Sequence, residues 1–410
     1  MVDVAAAATH RDIKVIGLIS TAHASSHFFQ LTLPPIFLFI QRDFGLSYTE
    51  LGATMTMFFV ASGLAQTVSG FLVDRFGARA VLFGGLSLLA GSVLLMAAVT
   101  HYWMLWPLAI LAGCGNSVFH PADYSILNAS IGASRIGRAY GAHTFGGNIG
   151  WAVAPMFMLG AAAAFGWRGA LIAASGLGFA ILAGLIANRE LLHYDRAGSK
   201  VKPAAGAMSA QSSTLALFMS TPILLCFGYF MLLSVALVGV QTFLPVTLDQ
   251  LYATPAKIAN AILTGFLIGS SAGILVGGYL ADRFSRHERI VASGLAAAAV
   301  LFLLVGNAAL PELALFAAVG FAGFLSGITT PSRDMLVRGA TPRGSTGKVF
   351  GFVYSGLDAG SAVTPLCIGL ILDHQRPSLV FWVMAAALAC AIFTAVTLKR
   401  SSPAVPVPAE

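Results

Sequence analysis

Charge is scarce in this chain. Asp, Glu, Lys and Arg together make up 10% of its 410 residues, against 57% hydrophobic residues. A soluble domain keeps about a quarter of its residues charged because its surface faces water. That shortage excludes an ordinary soluble domain and indicates a membrane protein. Cysteine is rarer still. Cys114, Cys226, Cys367 and Cys390 lie inside apolar runs, with no C-x-x-C spacing and no histidine in register. Their placement argues against a disulfide framework or a zinc site, so no metal is expected. A G-x-x-x-x-G-K-[ST] segment is also missing, which removes ATP as a direct energy source, and no cofactor is expected. The net charge of +7 is spread through short gaps between apolar runs instead of forming one patch, so nucleic acid is not an expected partner.

What the chain does have is apolar runs of membrane-spanning length. A spanning helix needs roughly 20 mostly apolar residues. Such runs fall at 13–40, 48–73, 79–99, 102–129, 138–164, 167–189, 214–248, 255–281, 290–308, 312–337, 348–372 and 376–398. The expectation is an all-α membrane protein of twelve transmembrane helices, with both termini on one side. Of the 23 Lys and Arg residues, only Arg42, Arg168, Lys257 and Arg376 fall on the opposite side. The positive-inside rule then puts both termini in the cytoplasm of a bacterial inner membrane. The first dozen residues lack a signal-peptide pattern, so the first run is expected to stay as a membrane helix. Residues 190–213, rich in Gly, Pro, Ser and charge, read as a cytoplasmic linker between six-helix bundles at 1–189 and 214–400. Residues 401–410 read as a disordered tail.

The two halves repeat. GGNIGWAVAP (146–155) matches SGLDAGSAVTP (355–365) at an offset of 210, aligning Gly150 with Gly360 and Pro155 with Pro365. Pro121 meets Pro331 at the same offset, and QLTLP (30–34) pairs with QTFLP (241–245). Two pseudo-symmetric six-helix halves, related by an axis along the membrane normal, would produce this pattern. The loops after the second and eighth helices read GFLVDRFGARAVL (70–82) and GYLADRFSRHERIV (278–291). Both resemble the G-x-L-A-D-R-x-G-R-R signature of the major facilitator superfamily. That resemblance implies gating loops: Gly70 for close helix contact, Asp74 against a helix N-terminus, and Arg75 and Arg79 at the headgroups. Asp282 and Arg283 hold the matching positions in the second half. GCGNSVFHPADY (113–124) and FGGNIG (145–150) look like segments of the fosmidomycin-resistance exporters, although Asp123-Tyr124 departs from their order.

In that fold helices 1, 4, 7 and 10 line a central cavity. His23, His27 and Gln30 share one face of helix 1 at i, i+4 and i+7, and Asn116, His120 and Asp123 do the same on helix 4. Polar stripes inside apolar helices face a cavity or another helix, because lipid would leave them unsatisfied. His23, His27, Gln30, Asn116 and His120, with Gln241 and Tyr354 from the second half, form the expected substrate lining. Few acids and several histidines suit a small polar or anionic solute. Histidine titrates near physiological pH, which fits protons as a second partner. Asp358, well inside helix 11, is the other candidate proton carrier besides His120; alternatively its carboxyl bonds Tyr354. Asp123 and Arg333 could bridge the cytoplasmic mouth, or Asp123 could pair with Arg75 or Arg79. The expected function is a secondary active transporter, by efflux or else by import of a carboxylate, sugar-like solute or metallophore, acting as a monomer. An enzyme is not expected, since His120 and Asp123 lack a nucleophile or metal partner set.

Overall fold

The structure is a computed structural model and describes residues 2–132, 135–192, 216–341 and 346–401. Most of the expected linker and the tail beyond residue 401 lie outside the described residues. The described residues contain no strand. The first half holds α1 (Val2–Gln30), a 3-10 turn at Pro34–Ile36, α2 (Phe37–Phe44), α3 (Tyr48–Phe76), α4 (Ala78–Met96), α5 (Leu105–Asn116), α6 (Phe119–Ser130) and α7 (Ile136–Ala187). The second half holds α8 (Thr221–Tyr252), α9 (Ala256–Arg283), α10 (His287–Asn307), α11 (Glu312–Ala340), α12 (Thr346–Asp373) and α13 (Pro377–Ser401).

Eight described helices are each long and apolar enough to cross a membrane, or nine if the bent pair Tyr48–Gln66 and Val68–Phe76 is one span. Four expected spans take other forms. α1, with the histidines and serines of its C-terminal half, is one. The fourth span is split into α5 and α6 at Ser117 and Val118. α7 fuses the fifth and sixth spans, with a break at Gly166 (φ 73°, ψ 169°), between the expected ends at 164 and 167. A side chain at that φ would be strained, so glycine marks the reversal.

By internal contacts the chain forms two compact units. The first contains α1 to α7 together with Gln241–Leu267 and Pro365–Gln375. The second contains α8 up to Val240, Ile268–Thr364 and the chain from Arg376. These units cut across the sequence halves, because short stretches of α8, α9 and α12 pack with the first half.

Inside each unit the repeated glycines do the same work. A Cβ at Gly146 of α7 would stand 2.6 Å from the Ser20 carbonyl oxygen of α1, and Gly150 abuts Ala24. At the repeat positions, a Cβ at Gly356 or Gly360 of α12 would stand 2.5 Å from the Phe227 or Met231 carbonyl oxygen of α8. Small residues thus let backbones touch where no hydrophobic force drives apolar helices together in lipid. Beyond the first span, Asp43 accepts hydrogen bonds from Arg168 Nη1 (2.5 Å) and Trp167 Nε1 (3.1 Å), fixing α2 against the turn at Gly166. The Arg168 bond, then the Trp167 bond, hold this carboxyl below its ordinary value.

Candidate functional site

The first unit gathers four histidines and an aspartate from three helices. His23 and His27 come from α1, His120 and Asp123 from α6, and His143 from α7. Asp123, His143, His23 and His27 are buried, with Asp123 at 0% exposure, whereas His120 is exposed. Asp123 Oδ2 lies 3.1 Å from His143 Nε2 and 3.6 Å from His23 Nδ1. The His23 and His143 rings stack at 3.7 Å, and His27 and His120 centre 4.4 and 5.1 Å from His23. Gly147 makes the packing possible, since a Cβ there would stand 2.6 Å from the His27 ring and 2.8 Å from His23.

Amides and hydroxyls border this cluster. Trp151 stacks on His27 at 3.9 Å and donates to Gln30 Oε1 at 3.1 Å. Asn116 accepts from Ser26 Oγ (2.7 Å) and donates to Ser62 Oγ (2.9 Å), joining α1, α3 and α5. His120 Nδ1 lies 3.5 Å from Gln66 Oε1. Gln241 is buried on α8 with no hydrogen bond to a described residue. Four atoms of the cluster have no hydrogen-bond partner among the described residues: Nδ1 of His23, His27 and His143, and Oδ1 of Asp123. Two of its triads place potential ligand atoms within 4.8 Å of one another, His23–His27–His120 and His23–Asp123–His143.

Several expected contacts are replaced by others. Asp123 pairs with histidines, and neither Arg333 nor the loop arginines is its partner. Buried in the helix interior, it faces the polar groups nearest in its own unit. In the second unit Arg333 Nε donates to the adjacent Asp334 (2.9 Å), and its guanidinium lies 4.5 Å from the centre of the Phe230 ring. Tyr354 donates to Asp334 at 3.2 Å instead of to Asp358. Asp358 is half-buried with no hydrogen bond to a described residue. In the loop after the second expected span, a Cβ at Gly70 would meet nothing within 4 Å, so the close contact expected there is absent. Asp74 is exposed without a hydrogen bond to a described residue; Arg75 lies over Phe76, and Arg79 donates to the Arg189 carbonyl at 3.0 Å. Asp282 and Arg283 are exposed at the end of α9.

The sequence reading did not single out His143 or Asp373. His143 precedes Gly147 by four residues and Gly150 by seven, so it continues the glycine face of α7. Asp373, the last residue of α12, accepts from Tyr48 N (2.6 Å), Thr49 N (2.9 Å) and Thr49 Oγ1 (2.5 Å). Ser47 accepts from Glu50 N (3.2 Å), and Glu50 accepts from Ser47 N (2.9 Å). The first three N–H groups of α3 are therefore satisfied by one capping serine and one aspartate from the other half of the chain. Gln250 Nε2 donates to the Leu372 carbonyl (3.3 Å) in the same region.

A strand-free set of described residues with eight or nine membrane-length helices, and buried polar groups on α1, α6 and α7, has the make-up of a membrane transporter. The Major Facilitator Superfamily family model matches residues 19–260 and 242–410, and the chain belongs to that family. It is 27% identical over 385 residues to the Fosmidomycin resistance protein of Escherichia coli (strain K12), covering 90% of this chain and 89% of that protein. Over 158 residues it is 32% identical to the Probable L-galactonate transporter of the same organism, covering 37% of this chain and 34% of that protein. Multidrug resistance protein MdtH of Salmonella typhi is 24% identical over 338 residues, covering 80% of each chain. Among solved structures, a bacterial homolog of the human lysosomal transporter Spinster, in an inward-facing and occupied conformation, superposes with TM-score 0.79 at 13% identity, covering 97% of this chain and 98% of that one. The nucleoside transporter NupG gives TM-score 0.76 at 14% identity, covering 95% and 99%. The structural likenesses carry the fold alone.

Proposed function

We propose that this protein is a proton-coupled exporter of a small polar or anionic solute. It works by alternating access as a monomeric antiporter in the bacterial inner membrane, with both termini cytoplasmic. The observation that carries this reading is the buried cluster of His23, His27, His143 and Asp123, which opens outward at His120. Ionisable groups within a membrane bundle are costly, so they pair with one another and mark solute or proton pathways. Imidazole changes charge between about pH 5 and 8. Gln30 and Asn116, bonded to Trp151 and to Ser26 and Ser62, supply neutral hydrogen-bonding groups beside the cluster. Asp358 is a second candidate carrier. Efflux is supported by the resistance proteins that align along most of the chain. Import is the second reading, favoured by the 32% match to a probable L-galactonate transporter.

The function test is direct. Overexpression should raise tolerance to a subset of antibiotics, phosphonates and organic acids, and deletion should lower it. Purified protein in vesicles should then move a compound from that subset against its gradient when a proton gradient is imposed. Failure to respond to the proton gradient removes the coupling. Uptake into cells instead of extrusion removes the direction.

Orientation has its own check. In a cysteine-free background, Ser199→Cys should react only from the cytoplasmic face and His101→Cys only from the periplasmic face. Labelling of both from one face would overturn the twelve-span topology.

A further inference from the structure

We propose that the histidine cluster of the first half is a binding site for a divalent transition-metal cation, with His23, His27 and His120 as ligands. His23 and His27 stand at i and i+4 on α1, the spacing by which a helix presents two imidazoles to one ion. His120 of α6 completes a triad whose ligand atoms lie within 4.8 Å of one another. Metal–imidazole bonds are about 2.0–2.1 Å long, so tetrahedral ligand atoms sit roughly 3.4 Å apart. Side-chain adjustments of about an ångström close the site. The three rings are mutually inclined rather than stacked where it matters, with His23 tilted 53° to His27 and 58° to His120.

The surroundings supply what such a site requires. Metal-bound histidines turn their other ring nitrogen toward a carboxylate, which fixes the ring and raises its basicity. Here His23 Nδ1 faces Asp123 Oδ2 at 3.6 Å, and His143 Nε2 reaches the same oxygen at 3.1 Å. That leaves Nε2 of His23 for the ion, Asp123 as the orienting carboxylate, and His143 as the group that orients Asp123. The buried Nδ1 of His27, which has no hydrogen-bond partner among the described residues, is ligand capacity that the protein itself does not use. His120 is exposed, which gives an ion a way in and leaves a coordination position open for water or an anionic solute. Three imidazoles favour Zn²⁺, Ni²⁺, Co²⁺ or Cu²⁺, whereas Mg²⁺ and Ca²⁺ demand oxygen ligands.

This inference does not depend on the direction or coupling of transport, because binding is measured at equilibrium. Tag-free, full-length protein in detergent is stripped with chelator and titrated with Co²⁺, Ni²⁺ or Zn²⁺ alone. Expected is one equivalent per chain, with d–d absorption for Co²⁺ and no comparable binding of Mg²⁺. His27→Gln and His120→Gln should each weaken binding at least tenfold, Asp123→Asn should weaken it by roughly 10–100-fold, and exposed His101→Gln should change nothing. X-ray absorption on the wild-type Ni²⁺ complex should show at least three imidazoles, a result that does not require any variant to fold. Non-saturable binding, equal affinity in His27→Gln and His120→Gln, or fewer than two imidazoles around the ion would overturn the proposal.

Discussion

Asp123→Asn is expected to abolish accumulation of solute against a gradient while leaving exchange at equal concentrations measurable. Asp123 is fully buried, and its Oδ2 faces two imidazoles from two other helices. Under the proposed coupling it is the acid through which His23 and His143 share a proton within the first unit. An amide keeps the shape and can still hydrogen-bond, but it can neither release nor accept the proton. Exchange needs no net proton movement, so it should persist. The pH profile of transport should flatten as the accumulation ratio falls to unity. Folding should survive at modest cost, because leaving a buried polar group unsatisfied costs about 1–3 kcal/mol. Asp358→Asn is the necessary comparison. Should Asp358→Asn give the uncoupled phenotype while Asp123→Asn accumulates solute with an unchanged pH profile, the carrier lies in the second half. A wild-type profile in both would remove carboxylate coupling altogether.

The sequence discloses the architecture much further than the pairings. Apolar runs, the charge asymmetry and the 210-residue repeat lead to twelve helices in two halves. The glycines that set the repeat prove to be backbone contacts, Gly146 on Ser20 and Gly356 on Phe227. The helical stripes on helices 1 and 4 also point to His23, His27 and His120, since period alone puts them on common faces. Period cannot rank partners from different helices. Asp123 has arginines within reach by topology, yet its nearest charge-capable groups are histidines, one of which lies on a helix whose glycines drew the attention. Asp373 was hidden for a different reason. It stands one residue beyond the expected end of the eleventh span, where an acid reads as a solvated loop. Its partners are backbone N–H groups, which carry no sequence signature. Gly70 and Asp74 show the converse: a strong motif identifies the loop, but a Cβ at Gly70 would meet nothing within 4 Å and Asp74 is exposed, so the contacts the motif implies are not made.

Under the proposed orientation, Asp373→Ala should weaken the periplasmic joint between the end of α12 and the N-terminus of α3 and slow transport about tenfold or more. The Asp373 carboxylate completes the N-terminus of α3 with two backbone bonds and one hydroxyl bond, joining residues 324 and 325 positions apart. An anion at a helix N-terminus is favoured by the unsatisfied N–H groups and the helix dipole. Water replaces part of that gain once the carboxylate is gone, so the net loss is about 1.5–3 kcal/mol. That corresponds to roughly ten- to hundredfold in the ratio of formed to broken joint. Ser47, Glu50 and the backbone contact of Gly369 with Tyr48 remain, which keeps the variant folded. Under the proposed orientation, a reporter cysteine deeper in the cavity should react faster with a membrane-impermeant reagent from the periplasm in Asp373→Ala than in wild type. Asp74→Asn, on the opposite side, should instead raise cytoplasmic reactivity, because Asp74 lies in the loop whose family signature implies a cytoplasmic lock. Asp373→Asn should sit between alanine and wild type, since an amide oxygen accepts but carries no charge. If Asp373→Ala leaves periplasmic labelling and turnover unchanged, the carboxylate caps a helix and has no part in gating.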